Sequence, residues 1–198
     1  MKKGLIALLV IVGIILIGYF WFKGTYNSMV EKQEATTGQW ANVETAYQRR
    51  ADLIPNLVNT VKGYADFEQE TLTQVIEARS RATSINVNAD DLDPSQIQKF
   101  QAAQDQLSGA LSRLLVTVER YPDLKANQNF LQLQSQLEGT ENRISVERRR
   151  FNLTVQDYNT YIRKFPQTVI AGMTGFEKKG YFESAEGSDV VPEVNFNE

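Results

Sequence analysis

A seven-residue repeat of apolar side chains runs through the segment from Trp40 to Tyr64. Its two sets of positions lie three residues apart and contain Trp40, Tyr47, Ile54 and Val61, and then Val43, Leu57 and Tyr64. This spacing puts both sets along one side of a helix and is typical of helices that pack lengthwise against other helices. Arg50 occupies an apolar position of the second set. Pro55 lies mid-helix, where it predicts a kink.

The same spacing predicts two further helices, and a shorter one precedes them at about 67–83. Asp93-Pro94-Ser95-Gln96 is a helix-start signal, and the helix that it opens should end at Tyr121, before Pro122. The last helix, about 124–165, carries the longest apolar series, which is Phe130, Leu137, Ile144, Phe151, Tyr158 and Phe165.

Short turns between helices of unequal length favour packing within one chain, so we expect an all-α protein with an elongated antiparallel four-helix bundle at 25–166. An intermolecular coiled coil is the alternative, because it has the same spacing. After Pro166 the pattern stops, and we expect an extended C-terminal tail at 167–198. We expect its apolar anchors to dock on the bundle or on a neighbouring subunit, and a disordered tail is the alternative. The anchors include Phe176, Tyr181, Phe182, Val194 and Phe196.

An uncharged apolar run at the N-terminus, Leu5 to Phe22, has the length of a membrane-spanning helix, about 27 Å. It ends in an aromatic belt followed by a lysine, and this membrane interface comprises Tyr19, Phe20, Trp21, Phe22 and Lys23. A cleaved signal peptide usually has a shorter core and a small-residue cleavage site. The run therefore predicts an uncleaved signal-anchor at 1–24, whose helix continues into the first bundle helix.

The basic residues flanking this run bear on its orientation in the membrane. Lys2 and Lys3 favour a cytoplasmic N-terminus and so an extracytoplasmic, periplasmic-side bundle. Lys23 and Lys32 favour the reverse, and the cytoplasmic orientation of the bundle stays open.

The composition limits the kinds of functional site that the chain can form. The 198 residues carry a net charge of −3, which is no basic footprint for nucleic acid. With no cysteine, thiol nucleophiles, disulfides and thiolate metal sites are excluded; with no histidine, the usual general base and commonest metal ligand are missing. The acidic groups near Glu68 and Asp91 are typical of a helix start and a loop. We expect no catalytic residues, no metal and no cofactor.

Two charged residues fall on apolar positions of long helices, Arg50 in the first and Glu147 in the last. An unpaired buried charge costs several kcal/mol, so each needs a partner or an exposed position. The hypothesis is an interhelical ion pair between Arg50 and Glu147; the alternative is that both reach the edge of the bundle.

Several ordered segments resemble the LemA family of bacterial membrane proteins. They are YNSMV at 26–30, RRADLIPNLVNTVKGY at 49–64, ERYPDLKANQNFLQLQSQLEGTENRI at 119–144, RRRFNLTVQDYN at 148–159 and KFPQTVIAGMTGF at 164–176. The resemblance implies one N-terminal membrane helix, an elongated helical bundle and no established catalytic activity. One branch of the family is associated with forming magnetosome membranes. Phe151-Asn152 departs from the family's usual Tyr-Asn pair by one hydroxyl.

These features together favour a non-enzymatic protein that is anchored in the lipid bilayer and whose bundle acts as a scaffold at the membrane, with membrane organisation or remodelling as one such role. It would form homo-oligomers or recruit other membrane proteins. The alternative is an accessory or regulatory subunit of another membrane protein, such as a protease or a transporter.

Overall fold

A computed structural model describes residues 2–63 and 68–183. Within these ranges the chain forms six helices: α1 (Lys2–Lys62), α2 (Gln69–Ser84), α3 (Pro94–Val118), α4 (Pro122–Lys125), α5 (Gln128–Arg163) and α6 (Gln167–Thr174). The all-α class is therefore confirmed. As predicted, the apolar N-terminal run and the Trp40 repeat as far as Val61 belong to one helix of 61 residues, about 90 Å long; Tyr64 lies outside the described residues.

The bundle is built on the antiparallel pair α1 and α5. Lys32 Nζ lies 2.5 Å from Asp157 Oδ2, and Arg50 Nη1 lies 2.7 Å from Glu141 Oε1, so α5 returns along α1 towards the apolar run. The helices α2 and α3 pack against each other and complete the bundle. The buried side chains form three successive clusters along its length, which are centred on Leu57, Trp40 and Met29.

The start of α3 agrees with the sequence, since the Asp93 carboxylate accepts hydrogen bonds from the backbone N–H groups of Ser95 and Gln96. The last predicted helix is in two pieces. The side chain of Asn127 accepts from the backbone N–H of Phe130 at 3.1 Å and starts α5 as a new helix after the single turn of α4. This cap is the physical reason that a helix continuous from residue 124 was wrong.

The helix α1 continues through Pro55, and the predicted kink there stays a prediction. Proline has no N–H, so the carbonyl of Ala51 loses its normal helical partner. Arg79 of α2 supplies the replacement, because its Nε donates to the Ala51 oxygen at 2.8 Å. The proline thus becomes a point at which α2 is bonded to α1.

The first part of the predicted extended tail is a helix, α6, which is a correction. Its residues Ile170 and Ala171 are buried against Met29, Tyr158 and Ile162, and this packing stabilises a helix that shows no seven-residue repeat. Gly175 ends α6 in the left-handed conformation, with φ 79°. Residues 176–183 then run across the bundle without regular secondary structure, and we call them the strap.

Candidate interaction site: a strap clamped to the bundle

Two asparagines of α5 hold the backbone of the strap. Asn159 Nδ2 donates to the carbonyl oxygen of Lys179, and its Oδ1 accepts from the N–H of the same residue, both at 2.9 Å. Asn152 makes the same two hydrogen bonds with the backbone of Phe182: its Nδ2 donates to the carbonyl oxygen at 2.8 Å, and its Oδ1 accepts from the N–H at 2.9 Å. Each side-chain amide therefore satisfies both polar groups of one strap residue, as a neighbouring β-strand would.

The spacings on the two sides match. Asn152 and Asn159 are seven residues apart on a helix, which is about 10.5 Å. Lys179 and Phe182 are three residues apart in extended chain, which is about 10 Å. An extended strap therefore meets both asparagines without strain, and a helical one would be too short.

A third amide comes from α3. Gln101 Nε2 donates to the carbonyl oxygen of Glu183 at 3.0 Å, and Gln101 Oε1 accepts from its N–H at 2.9 Å. The Arg148 guanidinium also donates to that carbonyl oxygen, at 2.9 Å. The end of the strap thus joins α3 to α5. We call Gln101, Asn152 and Asn159 the amide clamp.

The apolar anchor of the strap is Phe182. Its ring is buried in the Trp40 cluster, where it stacks on Trp40 with centroids 6.0 Å apart and meets Phe151 edge-to-face at 5.5 Å. Aromatic contacts of this kind contribute about 0.5–1.5 kcal/mol each beyond area burial. The Arg148 guanidinium covers the ring at 4.8 Å. The strap therefore completes the core of its own bundle.

The strap also contacts the loop between α2 and α3. The N–H of Gly180 donates to the carbonyl oxygen of Leu92 at 2.9 Å, and a Cβ at position 180 would lie 2.7 Å from Pro94 Cα. Lys179 Nζ donates to the carbonyl oxygens of Asp90 and Asp91 at 2.5 and 2.7 Å. Burial lowers the pKa of the Lys179 ammonium, against the opposing effect of these two aspartates.

Two buried tyrosines flank the strap. Tyr158 donates its hydroxyl to the carbonyl oxygen of Glu177 at 2.9 Å, and burial, with a smaller effect of the Glu177 charge, raises its pKa to about 12. Burial also raises the pKa of Tyr47 to about 12, although the cations of Arg148 and Arg50 oppose it.

Arg50 and Glu147 are both buried, but they do not pair with each other, so the predicted ion pair is wrong. Arg50 Nη1 bonds to Glu141 and Ser108 at 2.7 Å each, while its Nη2 bonds to the side chain of Gln104 at 2.5 Å. Glu147 lies six residues beyond Glu141, about 9 Å along α5, and so is out of reach of Arg50.

Glu147 has a set of partners of its own, and its side chain is only 1% exposed, which excludes the alternative that it reaches the bundle edge. Gln39 of α1 donates to its Oε2 at 2.8 Å, and Arg143 and Arg150 of α5 bind its Oε1 at 2.7 and 3.1 Å. The seven-residue spacing identified the buried faces of α1, α3 and α5, except at Phe165, which is exposed, but it did not fix where along a helix each contact lies.

The other predicted site residues fall into three groups. The interface residues Tyr19, Phe20, Trp21, Phe22 and Lys23 are all exposed on α1. Of the tail anchors, Phe182 is buried, Phe176 is half-buried with its ring 5.6 Å from that of Tyr26, and Tyr181 is exposed. Val194 and Phe196 lie outside the described residues.

The amide clamp was missed at the sequence level, yet α5 carries a signal for it. An aromatic-asparagine pair occurs twice at a spacing of seven, as Phe151-Asn152 and Tyr158-Asn159. The aromatic member of each pair enters the core, and the asparagine beside it faces the strap. In this chain the repeated asparagine marks the face of α5 that binds the strap.

The geometry defines a helical protein with one apolar helix joined to a bundle. In the described part of the chain, α1 alone is long and apolar enough to cross a membrane, and its apolar run lies on the surface. The chain belongs to the LemA family, whose model matches residues 39–196.

Curated relatives agree with this family. Protein LemA of Metamycoplasma hominis is 26% identical over 168 residues, which are 85% of this chain and 73% of that protein. Magnetosome protein MamQ 2 of Paramagnetospirillum magneticum is 26% identical over 181 residues, which are 83% of this chain and 66% of that protein. Magnetosome protein MamQ of Magnetospirillum gryphiswaldense is 25% identical over 189 residues, which are 85% of this chain and 70% of that protein. The family and the apolar helix fit a membrane location.

Proposed function

We propose that this chain is a non-enzymatic, membrane-anchored interaction protein whose bundle serves as a rigid scaffold at the bacterial membrane. The observation that carries the proposal is the continuity of α1, which runs from Lys2 to Lys62 without interruption. A bundle built on the membrane helix itself is held at a set distance from the bilayer. Such a bundle can position a partner relative to the membrane.

The amide clamp supports the same proposal. By joining α3, α5 and the loop before α3 through one strap, it converts the middle of the bundle into a single body with few internal degrees of freedom. A preorganised surface loses less conformational entropy when it binds. Beside the strap, Leu153 and Tyr181 expose apolar surface next to Arg149, and we propose this face for contact with a second copy or with another membrane protein.

The magnetosome names of two relatives support a role in organising membranes. We propose that role here in its general form, with self-assembly of the bundle as its basis and with the bundle on the extracytoplasmic side. The test of orientation is protease treatment of spheroplasts. External protease should digest the bundle, whereas a bundle that survives until the membrane is permeabilised lies in the cytoplasm.

The test of partners is photo-crosslinking in the native membrane. A photoreactive amino acid at Tyr181 should crosslink to a second copy of the chain or to another membrane protein, as identified by mass spectrometry. The matched control is the same amino acid at Leu131, which is also exposed and lies near the far end of the bundle. Equal products from both positions, or none from Tyr181, would refute the proposed face.

Light scattering after size exclusion in detergent separates scaffold from accessory subunit. A homogeneous homo-oligomer supports the scaffold. A monomer that co-purifies in a constant ratio with a protease or a transporter supports the accessory role instead.

A further inference from the structure

The end of the bundle nearest the apolar run exposes a second apolar surface. Phe165 is 82% exposed, Met173 75% and Val169 52%. Within α6, Val169 and Met173 are four residues apart and so share a face, whereas Ile170 and Ala171 point the other way into the Met29 cluster. A helix of this kind buries one apolar face in the protein and leaves another apolar face outside.

Contacts with α1 place this surface close to the membrane span. Met29, which packs on α6, is seven residues, or about 10 Å, beyond Phe22 at the end of the apolar run. At the other end of α6, the ring of Phe176 lies 5.6 Å from that of Tyr26, one turn nearer the span.

The approach of α5 leads to the same level. Asp157 and Tyr161 both contact Lys32, through an ion pair and through a ring face 5.3 Å from the ammonium. Because α5 runs towards the span, its last residue, Arg163, lies about 3 Å closer to the span than Tyr161 does, and Phe165 and α6 follow directly. Both ends of α6 are therefore within about two turns of Phe22 along α1.

The charge around this surface differs from that of the whole chain. Residues 23–29 and 160–178 contain four basic side chains, Lys23, Arg163, Lys164 and Lys178, and one acidic side chain, Glu177. The complete chain has 21 basic and 24 acidic residues. Basic residues at the rim of an apolar surface favour the headgroups of anionic lipids.

We propose that the apolar surface formed by Phe165 and by the α6 residues Val169 and Met173 is a second membrane contact, which lies in the headgroup region of the bilayer beside the span. The occupant is lipid, because the surface continues the lipid-facing run of α1. Two contacts of one rigid body with the bilayer set the tilt of the bundle, which a single helix leaves free. The inference rests on Leu5–Phe22 crossing the membrane.

The chain has no cysteine, so single fluorophores can be attached at chosen positions of the full-length protein. We would label Met173→Cys with an environment-sensitive dye in nanodiscs that hold one copy each and contain phosphatidylcholine and phosphatidylglycerol. The matched control is Val116→Cys, since Val116 is 71% exposed at the far end of the bundle. Ile14→Cys reports on the span itself.

We expect nitroxide-bearing lipids to quench the dye at position 173 and water-soluble iodide to quench it less than at position 116. Val169→Glu should abolish the lipid quenching at 173. Equal iodide quenching at 173 and 116 overturns the inference, and so does protection from iodide without lipid quenching, which indicates cover by protein. If either of these results is found and lipids still quench the dye at position 14, the span crosses the membrane and only the second contact is wrong. If lipids do not quench the dye at position 14, the anchor itself is wrong.

Discussion

Asn159 bonds to both backbone polar groups of Lys179, and this one amide holds the middle of the strap on α5. Asn159→Ala removes donor and acceptor together and leaves the N–H and the carbonyl of Lys179 buried without a partner. We expect the strap to be destabilised by about 2 kcal/mol, so that it opens roughly 30-fold more often. Trypsin cleavage after Lys178 and Lys179 should accelerate by that factor.

The control for this variant is Asn142→Ala. Asn142 is exposed on the same helix and does not contact the strap. Its substitution should leave the cleavage rate within a factor of two or so, the effect of an ordinary surface change. Equal acceleration by both variants would mean that the amide clamp does not hold the strap.

Gly180→Ala and Gly139→Ala should have opposite effects. At position 180 the new Cβ would lie 2.7 Å from the backbone Cα of Pro94, which cannot rotate away as a side chain does. At position 139, in the exposed interior of α5, nothing lies within 4 Å of it. We expect faster strap cleavage for Gly180→Ala, and for Gly139→Ala a gain of up to about 1 kcal/mol in unfolding free energy.

Urea denaturation and trypsin cleavage of the two variants check this pair. If Gly180→Ala cleaves at the rate of the unmodified chain, the strap does not approach Pro94 as closely as described. If Gly139→Ala lowers the unfolding free energy, the environment of α5 there is not open.

Periodicity predicts which face of a helix is buried, and it does so here for α1, α3 and α5. It carries no information on the axial position of one helix against another. Arg50 and Glu147 show the consequence, because both lie on the predicted buried faces and each finds partners at its own height. Which residues of α1 and α5 meet depends on the lengths of the connecting segments and on packing between residues that are distant in sequence.

Periodicity could not predict the strap, for a different reason. Its conformation is extended and depends on side-chain amides that are distant in sequence, such as Asn152 for Phe182 and Gln101 for Glu183. The same holds for Arg79, whose bond to the Ala51 carbonyl follows from Pro55 only once α2 is known to lie beside it. Local sequence shows the unsatisfied group, and tertiary structure shows its partner.

Double-mutant cycles distinguish the contact of Arg50 with Glu141 from the predicted pair. Removing Glu141 leaves the Arg50 guanidinium buried with only neutral partners, so Glu141→Gln should be destabilising. We expect a coupling energy between positions 50 and 141 of about 1–3 kcal/mol, and between 50 and 147 of less than about 0.5 kcal/mol. The variants are Arg50→Met, Glu141→Gln and Glu147→Gln, measured by urea denaturation. A larger coupling for 50 with 147 would restore the original pair.

Alkaline pH should destabilise the fold through Tyr47. Its pKa is raised to about 12 in the folded state, against 10.0 for an ordinary tyrosine, so between these values the unfolded chain loses the proton and the folded chain keeps it. Unfolding then releases protons, and stability falls as pH rises. At pH 11 this amounts to roughly 1 kcal/mol for Tyr47 alone.

Two other groups with shifted pKa values also change how the stability depends on pH. Tyr158 adds to the loss, since its pKa is raised too. Lys179 opposes the loss, because a lowered pKa makes the folded state release its proton first, and stability from this group rises with pH.

The contribution of Tyr47 is isolated by subtracting the stability–pH curve of Tyr47→Phe from that of the unmodified chain. Circular dichroism during urea denaturation from pH 9 to 11 measures the stability of both proteins. Tyr181→Phe, at an exposed ring, is the control. If Tyr47→Phe keeps the full alkaline loss, the Tyr47 hydroxyl is not buried as described.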